Sequence, residues 1–312
     1  MRIAFLGTPE PAALVMDALV AAGQKIACVV TQPDRPAGRG QKVEFSPVKQ
    51  AALKYSFPLE QPEQVRGNLD LASRLRSLAI DLGVVVAYGK ILPKEVLDIP
   101  KHGFINLHAS LLPKYRGAAP IQWALLSGEK ESGITVFQLV EALDAGPVLA
   151  QERIYISDED DAVSLSKKLF AAAPDLLLRT IDKISKGSAA AVMQNESDVS
   201  FAPSLSKESG AIDWKKGAEE IGNRIRALVI WPAAHTFIKE KRLKIFKASP
   251  VPEMVHESPG QIAAVIRDEG FVVSTGQGGL LVREVQIEGG RRMGAYAFAI
   301  GHDVKAGETL PN

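Results

Sequence analysis

The sequence predicts an α/β protein, a doubly wound, mostly parallel sheet followed by a small β-barrel of the OB type. Three observations predict it. Short apolar strands alternate with helical stretches through the first half, as in a parallel sheet covered on both faces. After residue 187 the chain turns small and polar, up to and past Pro203. Beyond that break, short strands are separated by glycine-rich turns, which suits a small barrel. A length of 312 residues leaves room for about two domains. The expected division is residues 1–189, a linker at 190–206, and residues 207–312.

Taken in order, residues 2–6 form a first strand, 11–21 a helix and 26–31 a second strand. Helices follow at 47–55 and 68–78, and Leu82-Gly-Val-Val-Val-Ala87 is a continuous apolar strand of the kind buried on both faces. Residues 104–107 form another strand, then 133–140 and 147–156, the last ending in the polar turn Ser157-Asp-Glu-Asp160. A long helix runs from about 161 to 186, with Pro174 as an expected kink or break. The second part contributes a helix at 218–229 and strands at 235–238, 243–248, 260–267, 270–274 and 280–287.

Composition narrows the function classes. Hydrophobic residues make up 46% and charged residues 23%, an ordinary globular balance. Net charge is +1, so no global field advertises nucleic acid, although a local basic patch suffices for RNA. No apolar run reaches membrane-spanning length. The start, Met1-Arg-Ile-Ala-Phe-Leu6, enters a strand directly and lacks the pattern of a secretory signal. The single cysteine, Cys28, lies in an apolar strand and is a core thiol on this reading. A cytoplasmic, monomeric protein is the expectation. No His-Glu-x-x-His or Cys/His cluster suggests a metal.

The chemistry concentrates in Phe104-Ile-Asn-Leu-His-Ala-Ser-Leu-Leu-Pro-Lys-Tyr-Arg-Gly117. Asn106 and His108 are two residues apart, so an extended strand points both to one side. A carboxamide can donate to a developing oxyanion, and an imidazole moves protons near neutral pH. The carboxyl end of a parallel strand is where open α/β sheets place ligands. Asp144, in Glu141-Ala-Leu-Asp-Ala-Gly-Pro147, is either an ordinary turn aspartate or a carboxylate that orients His108, favours its protonated form or holds a water. Gly7-Thr-Pro-Glu-Pro11 occupies the place of a phosphate loop but lacks the further glycines, which favours a structural turn. Residues 33–47 make a long Gly/Pro/Arg/Lys loop, either a solvated excursion or a phosphate-contacting arm. Lys239-Glu-Lys-Arg-Leu-Lys-Ile-Phe-Lys247 alternates charged and apolar residues, as a barrel strand with one solvated face or an RNA-facing strand does.

These motifs resemble those of the folate-dependent formyltransferases. The likeness extends through Lys114-Tyr-Arg-Gly-Ala-Ala-Pro-Ile-Gln122, Gly133-Ile-Thr135 and Leu143-Asp-Ala-Gly-Pro147. Within that family the chain is similar to the members that act on charged tRNA. That likeness rests on Gln32-Pro-Asp-Arg-Pro-Ala-Gly-Arg-Gly40, Ser46-Pro-Val-Lys49, Ala87-Tyr-Gly-Lys90 with Leu92-Pro93, and Trp231-Pro232. The resemblance implies a Rossmann-like catalytic domain with Asn106, His108 and Asp144 as its catalytic trio. It implies that Ser110, Leu111, Leu112 and Pro113 line the tetrahydrofolate site, with the backbone of Val86, Ala87 and Tyr88 on the pteridine side. Arg39 matches the loop arginine that reaches the acceptor end of the tRNA, with Lys42 in the same loop. Lys241, Arg242 and Lys244 belong to the basic face of the barrel that would hold the tRNA's inner side. The implied donor is 10-formyltetrahydrofolate, the implied acceptor methionyl initiator tRNA, and no metal is implied. Gly294 and Ala297 depart from the polar residues more usual at their positions. A nucleotide-sugar formyltransferase would share the trio and much of the loop after it, but Gly38-Arg-Gly40 and Gly117-Ala-Ala-Pro-Ile-Gln122 favour tRNA. An RNA-binding protein without catalysis is disfavoured by the intact trio.

Overall fold

The computed structural model describes residues 1–37, 42–251 and 257–311. The chain falls into two compact units. One comprises Met1–Pro120, Glu131–Tyr155 and Ser166–Pro203, the other Ile121–Lys130, Ile156–Leu165 and Ser204–Asn312.

In the first unit β1 (Arg2–Gly7), α1 (Glu10–Ala21) and β2 (Lys25–Val30) open an α/β alternation. A short antiparallel hairpin, β3 (Arg35–Ala37) with β4 (Lys42–Glu44), occupies part of what the sequence presents as a loop. Next come α2 (Pro47–Lys54), β5 (Leu59–Glu60), α3 (Leu69–Ser77) and β6 (Leu82–Val86). Two helix starts are written in the sequence. Ser46 Oγ accepts from Lys49 N at 3.1 Å ahead of Pro47, and Asn68 Oδ1 accepts from Leu71 N at 2.9 Å. The chain continues through α4 (Lys94–Leu97), β7 (Phe104–His108), β8 (Arg116–Gly117), α5 (Pro120–Leu126), β9 (Glu131–Gln138), β10 (Val148–Tyr155), α6 (Ala162–Ser185) and β11 (Phe201–Ala202), of which α5 after Pro120 and α6 as far as Leu165 belong to the second unit. Helix α6 runs through Pro174 without the expected break. Leu165, Leu169, Ala173, Leu176 and Leu177 bury one side of it, and that packing outweighs the lost N–H.

The main sheet has the order β10-β9-β7-β6-β1-β2-β5. Strands β5, β2, β1, β6 and β7 pair in parallel, and β9 is antiparallel to both β7 and β10. From β1 the chain builds outward through β2 and β5, then returns to the other side with β6 and β7. The reversal lies between β1 and β6, so the crevice at their carboxyl ends is the topological switch point. Gly7 sits there because a Cβ would lie 2.8 Å from Ala12 Cβ and 2.9 Å from Val86 O. Gly7-Thr-Pro is thus a closely packed strand-to-helix turn.

The second unit adds α7 (Ala218–Ala227), β12 (Ala234–Ile238), β13 (Lys241–Val251), β14 (Ile262–Ile266), β15 (Gly270–Ser274), β16 (Gly279–Ile287), β17 (Met293–Gly294) and α8 (Ala295–Gly301). Its strands form the antiparallel order β12-β13-β16-β15-β14, with β17 on β16. Trp214, Phe271 and Phe298 are buried in one apolar core with Leu243, Ile245 and Val285. Each such side chain contributes about 1.5–3 kcal/mol when fully buried.

Candidate active site

Strand β7 carries the first two candidates. Alternation along Phe104-Ile-Asn-Leu-His108 puts Asn106 and His108 on one face, at the carboxyl end of the strand. Asn106 stands between Val85 on β6 and Phe137 on β9, and His108 stands opposite Thr135. The His108 ring lies edge-on to Phe137, centroids 6.3 Å apart. His108 is buried, and its Nε2 lies 2.9 Å from the Tyr115 carbonyl oxygen. A carbonyl only accepts, so Nε2 carries the hydrogen and donates it. In the neutral ring Nδ1 then holds the lone pair. The Asn106 Oδ1 is buried with no hydrogen-bond partner among the described residues.

Asp144 is remote in sequence but converges on the histidine. Its Oδ2 lies 3.8 Å from His108 Nδ1, and both side chains are buried. That separation is an ion-pair approach and exceeds hydrogen-bond length. The carboxylate is fixed instead by Gly117 N, which donates to Oδ2 at 2.8 Å. The imidazole is therefore oriented by the Tyr115 carbonyl, with Asp144 facing its free nitrogen. Gly117 has φ +127°, and a Cβ there would lie 2.6 Å from Ala202 O, so a glycine is required where the amide meets the aspartate.

The turn Ser110–Pro113 leaves the end of β7 and is braced from below. The buried Thr135 hydroxyl donates to Ser110 O at 2.6 Å and accepts from Leu112 N at 3.2 Å. Gln151 Nε2 donates to Leu112 O at 2.7 Å and to Thr135 Oγ1 at 2.9 Å. Ser110 Oγ donates to Lys114 O at 2.6 Å and closes the turn. Leu112 is buried, while Leu111 and Pro113 are half-buried. On the neighbouring strand, Val86 pairs with Leu107, and Ala87 is exposed with φ +47°. The Tyr88 carbonyl accepts from Thr8 Oγ1 at 3.2 Å and Gln32 Nε2 at 3.0 Å, which ties three strand ends into one rim. The Tyr88 ring is buried, its hydroxyl lacks a partner among the described residues, and burial pushes its phenol up to about 12.

Two family models cover most of the chain. Residues 1–181 match the model described as formyl transferase, and residues 204–303 match the formyl transferase C-terminal domain. The methionyl-tRNA formyltransferase of Caldanaerobacter subterraneus subsp. tengcongensis is 44% identical over 310 residues, 99% of this chain and 100% of the relative. The chain belongs to the methionyl-tRNA formyltransferase family. The relative of that name from Thermodesulfovibrio yellowstonii is 45% identical over 305 residues, 98% of this chain and 97% of its own length. The chain is thus a formyl-transferring enzyme with a Rossmann-like first domain and an antiparallel second one. Solved structures share the fold at lower identity. The N-formyltransferase of Helicobacter canadensis, in complex with folinic acid and dTDP-3-aminofucose, superposes with a TM-score of 0.68 at 20% identity, over 94% of this chain and 100% of that one. HypX of Aquifex aeolicus in complex with tetrahydrofolic acid gives 0.66 at 19% identity, over 100% of this chain. This formyltransferase spans 49% of the longer HypX chain.

The residues assigned to tRNA by resemblance lie in two places. Arg39 falls outside the described residues, and so does the side chain of Lys42, whose backbone belongs to β4. Lys241, Arg242 and Lys244 begin β13 in the second unit, where Leu243 and Ile245 turn inward. Arg242 pairs with Phe237 and Lys244 with His235 on β12, so basic and aromatic side chains share the outward face.

Sequence reasoning missed the segment that packs beside this candidate site. Residues read as linker are built into the first unit. Val192 bridges Val148, and β11 pairs in parallel with β8. Ser200 O accepts from Arg116 N at 2.9 Å, and Ser200 Oγ from Tyr115 N at 3.0 Å. Arg116 is buried and donates to Gln194 and Glu196. The guanidinium hydrogen bond holds the Glu196 carboxyl below its usual range. The available signal was the charged Arg116 between apolar loops, which needs an acceptor when buried.

Proposed function

We propose that Asn106, His108 and Asp144 form the centre at which a formyl group passes from 10-formyltetrahydrofolate to the α-amino group of methionine on initiator tRNA. The observation that carries this reading is the approach of Asp144 Oδ2 to 3.8 Å of His108 Nδ1, at the strand end that also bears the unpartnered Asn106 oxygen. The pockets of polarity fit a reduced folate. Orphaned buried atoms on Asn106 and Tyr88 await partners, and the exposed Ala87 backbone offers peptide groups to a flat heterocycle. The Ser110–Pro113 turn and the backbone of Val86, Ala87 and Tyr88 hold the folate, which supplies the formyl carbon.

The chain's own residues then divide the work. An α-amino group has a reference pKa of about 7.7–8.0, so the neutral nucleophile is accessible near neutral pH. The Asn106 carboxamide offers N–H donors to the oxygen that gathers charge and an acceptor to the amine. His108 takes a proton from the attacking amine through Nδ1 and carries it towards the departing nitrogen. Asp144, held by Gly117 N, faces Nδ1 and stabilises the imidazolium while that proton is in transit.

Residues 1–189 are the catalytic part on this reading, and residues 207–312 hold the tRNA through Lys241, Arg242 and Lys244, with Arg39 and Lys42 reaching its acceptor end. The protein works as a cytoplasmic monomer, where initiator tRNA is charged. Among the described residues no helix is long and apolar enough to cross a membrane. The test is direct. Purified protein given 10-formyltetrahydrofolate should formylate methionyl initiator tRNA and leave a nucleotide-linked aminosugar unmodified. A folded sample that yields no formylmethionyl-tRNA rejects the proposal.

A further inference from the structure

One half-buried side chain joins the two loops that frame His108. Gln194 Oε1 accepts from Arg116 Nε at 3.0 Å and from Arg116 Nη2 at 2.9 Å. Its Nε2 donates to Asp144 O at 2.7 Å and to Gly146 O at 2.8 Å. All the hydrogen-bonding capacity of that carboxamide is thus spent between Arg116 and the Asp144 loop. On one side lies the loop whose Tyr115 carbonyl takes the His108 hydrogen and whose Gly117 amide holds the Asp144 carboxylate. On the other lies Asp144 itself, in a left-handed backbone conformation, φ +47°, that is uncommon for residues other than glycine. Gly146 packs its Cα against Gln138 O too closely to admit any Cβ, so the far end of that loop requires a glycine.

We propose that Gln194 is a positioning residue: it fixes the Asp144 backbone against the Arg116 loop and so sets the carboxylate facing His108 Nδ1. The inference rests on the catalytic reading of Asp144. The amide of a glutamine suits the task because it must accept from a guanidinium and donate to two carbonyls at once. Neither glutamate nor methionine can do both. The attachment of the 190–203 segment does not depend on this side chain. Val192 bridges Val148, Arg116 N donates to Ser200 O, and Ala119 N donates to Ala202 O at 3.1 Å. Gln194 therefore affects geometry at the site more than retention of the segment.

The experiment is a double-mutant cycle on formylation of methionyl initiator tRNA with 10-formyltetrahydrofolate. Gln194→Met should lower kcat about tenfold to a hundredfold, the scale of a sub-ångström to ångström misplacement, with KM for the folate within about twofold. Rates are compared well below the thermal midpoint, which should fall because the buried Arg116 guanidinium loses an acceptor and two carbonyls lose a donor. In an Asp144→Asn background the same change should cost less than about twofold, because the group it positions is gone. Glu196→Gln, at an exposed contact of the same guanidinium, should leave kcat within about twofold. Should Gln194→Met fail to fold, Gln194→Glu keeps an acceptor for Arg116, loses both donors, and carries the same cycle. Equal losses from the Gln194 change in both backgrounds overturn the proposal, as does a Glu196→Gln loss matching it. A crippled Asp144→Asn beside an unaffected Gln194→Met overturns the positioning role alone. An active Asp144→Asn overturns the catalytic reading of Asp144 and the positioning role with it.

Discussion

Thr135→Val isolates the brace beneath the Ser110–Pro113 turn. The substitution keeps the shape of a fully buried side chain and removes only its hydroxyl. Two backbone groups lose their partner, the Ser110 carbonyl at 2.6 Å and the Leu112 amide at 3.2 Å. Gln151 retains its bond to Leu112 O, so the third arm of the brace survives. Each orphaned buried group costs about 1–3 kcal/mol, which gives about 2–4 kcal/mol for the pair after partial relaxation. In a domain of this size that corresponds to a fall of about 4–16 °C in the thermal midpoint. Below that midpoint the turn should be looser, and KM for 10-formyltetrahydrofolate should rise while KM for methionyl-tRNA holds. Thermal unfolding followed by circular dichroism, with initial-rate kinetics at varied folate, measures both effects. A variant with an unchanged midpoint and unchanged folate KM would refute the reasoning, because the hydroxyl would then be dispensable to the turn.

Three further outcomes follow from the same geometry. Asn106→Ala should lower kcat by about 10²–10³ and His108→Ala by about 10²–10⁴, each with native circular dichroism, and near-parental turnover would remove their roles. Burial first, and then the Glu60 charge, push the Cys28 thiol up from 9.0 to about 12. Iodoacetamide at pH 8 should therefore leave it intact until the chain is unfolded, and the thiol's contribution to stability, complete below pH 9.0, should fade as pH climbs towards about 12. Rapid alkylation of the native protein would contradict that burial. Arg242→Ala and Lys244→Ala should each weaken tRNA binding and reduce its logarithmic salt dependence by about one, whereas an unchanged slope would take the outward face of β13 out of the interface.

The frame was legible because its strands advertise themselves. The apolar runs of β1, β2, β6 and β7 are buried on both faces, a pattern few other environments produce. The two-residue spacing of Asn106 and His108 places both on one side of β7 from sequence alone. Three helices, α4, α5 and α8, escaped notice for physical reasons, α4 because it is a single turn. In α8, Ala295-Tyr-Ala-Phe-Ala-Ile-Gly301 alternates small and large apolar residues and lacks a helical stripe, and it is packing of the buried Phe298 against the antiparallel sheet that holds it. Helix α5 is only two turns long. The segment 190–203 looked like a connector because its bonds run from side chains to backbone, as Gln194 and Ser200 show, and such bonds leave no periodicity. Pro174 suggested a break that the buried leucine face of α6 overrules. The His108–Asp144 approach was similarly out of reach, because it depends on Gly117 N and the left-handed turn at Asp144.

The most direct measurement is single-turnover formylation with a radiolabelled formyl donor, methionyl initiator tRNA and a nucleotide-linked aminosugar competing as acceptors, run with the parent and with His108→Gln. The account predicts label on the tRNA alone and a His108→Gln rate lower by at least about a hundredfold at unchanged tRNA affinity. Label on the sugar, or an undiminished rate without the imidazole, would contradict it.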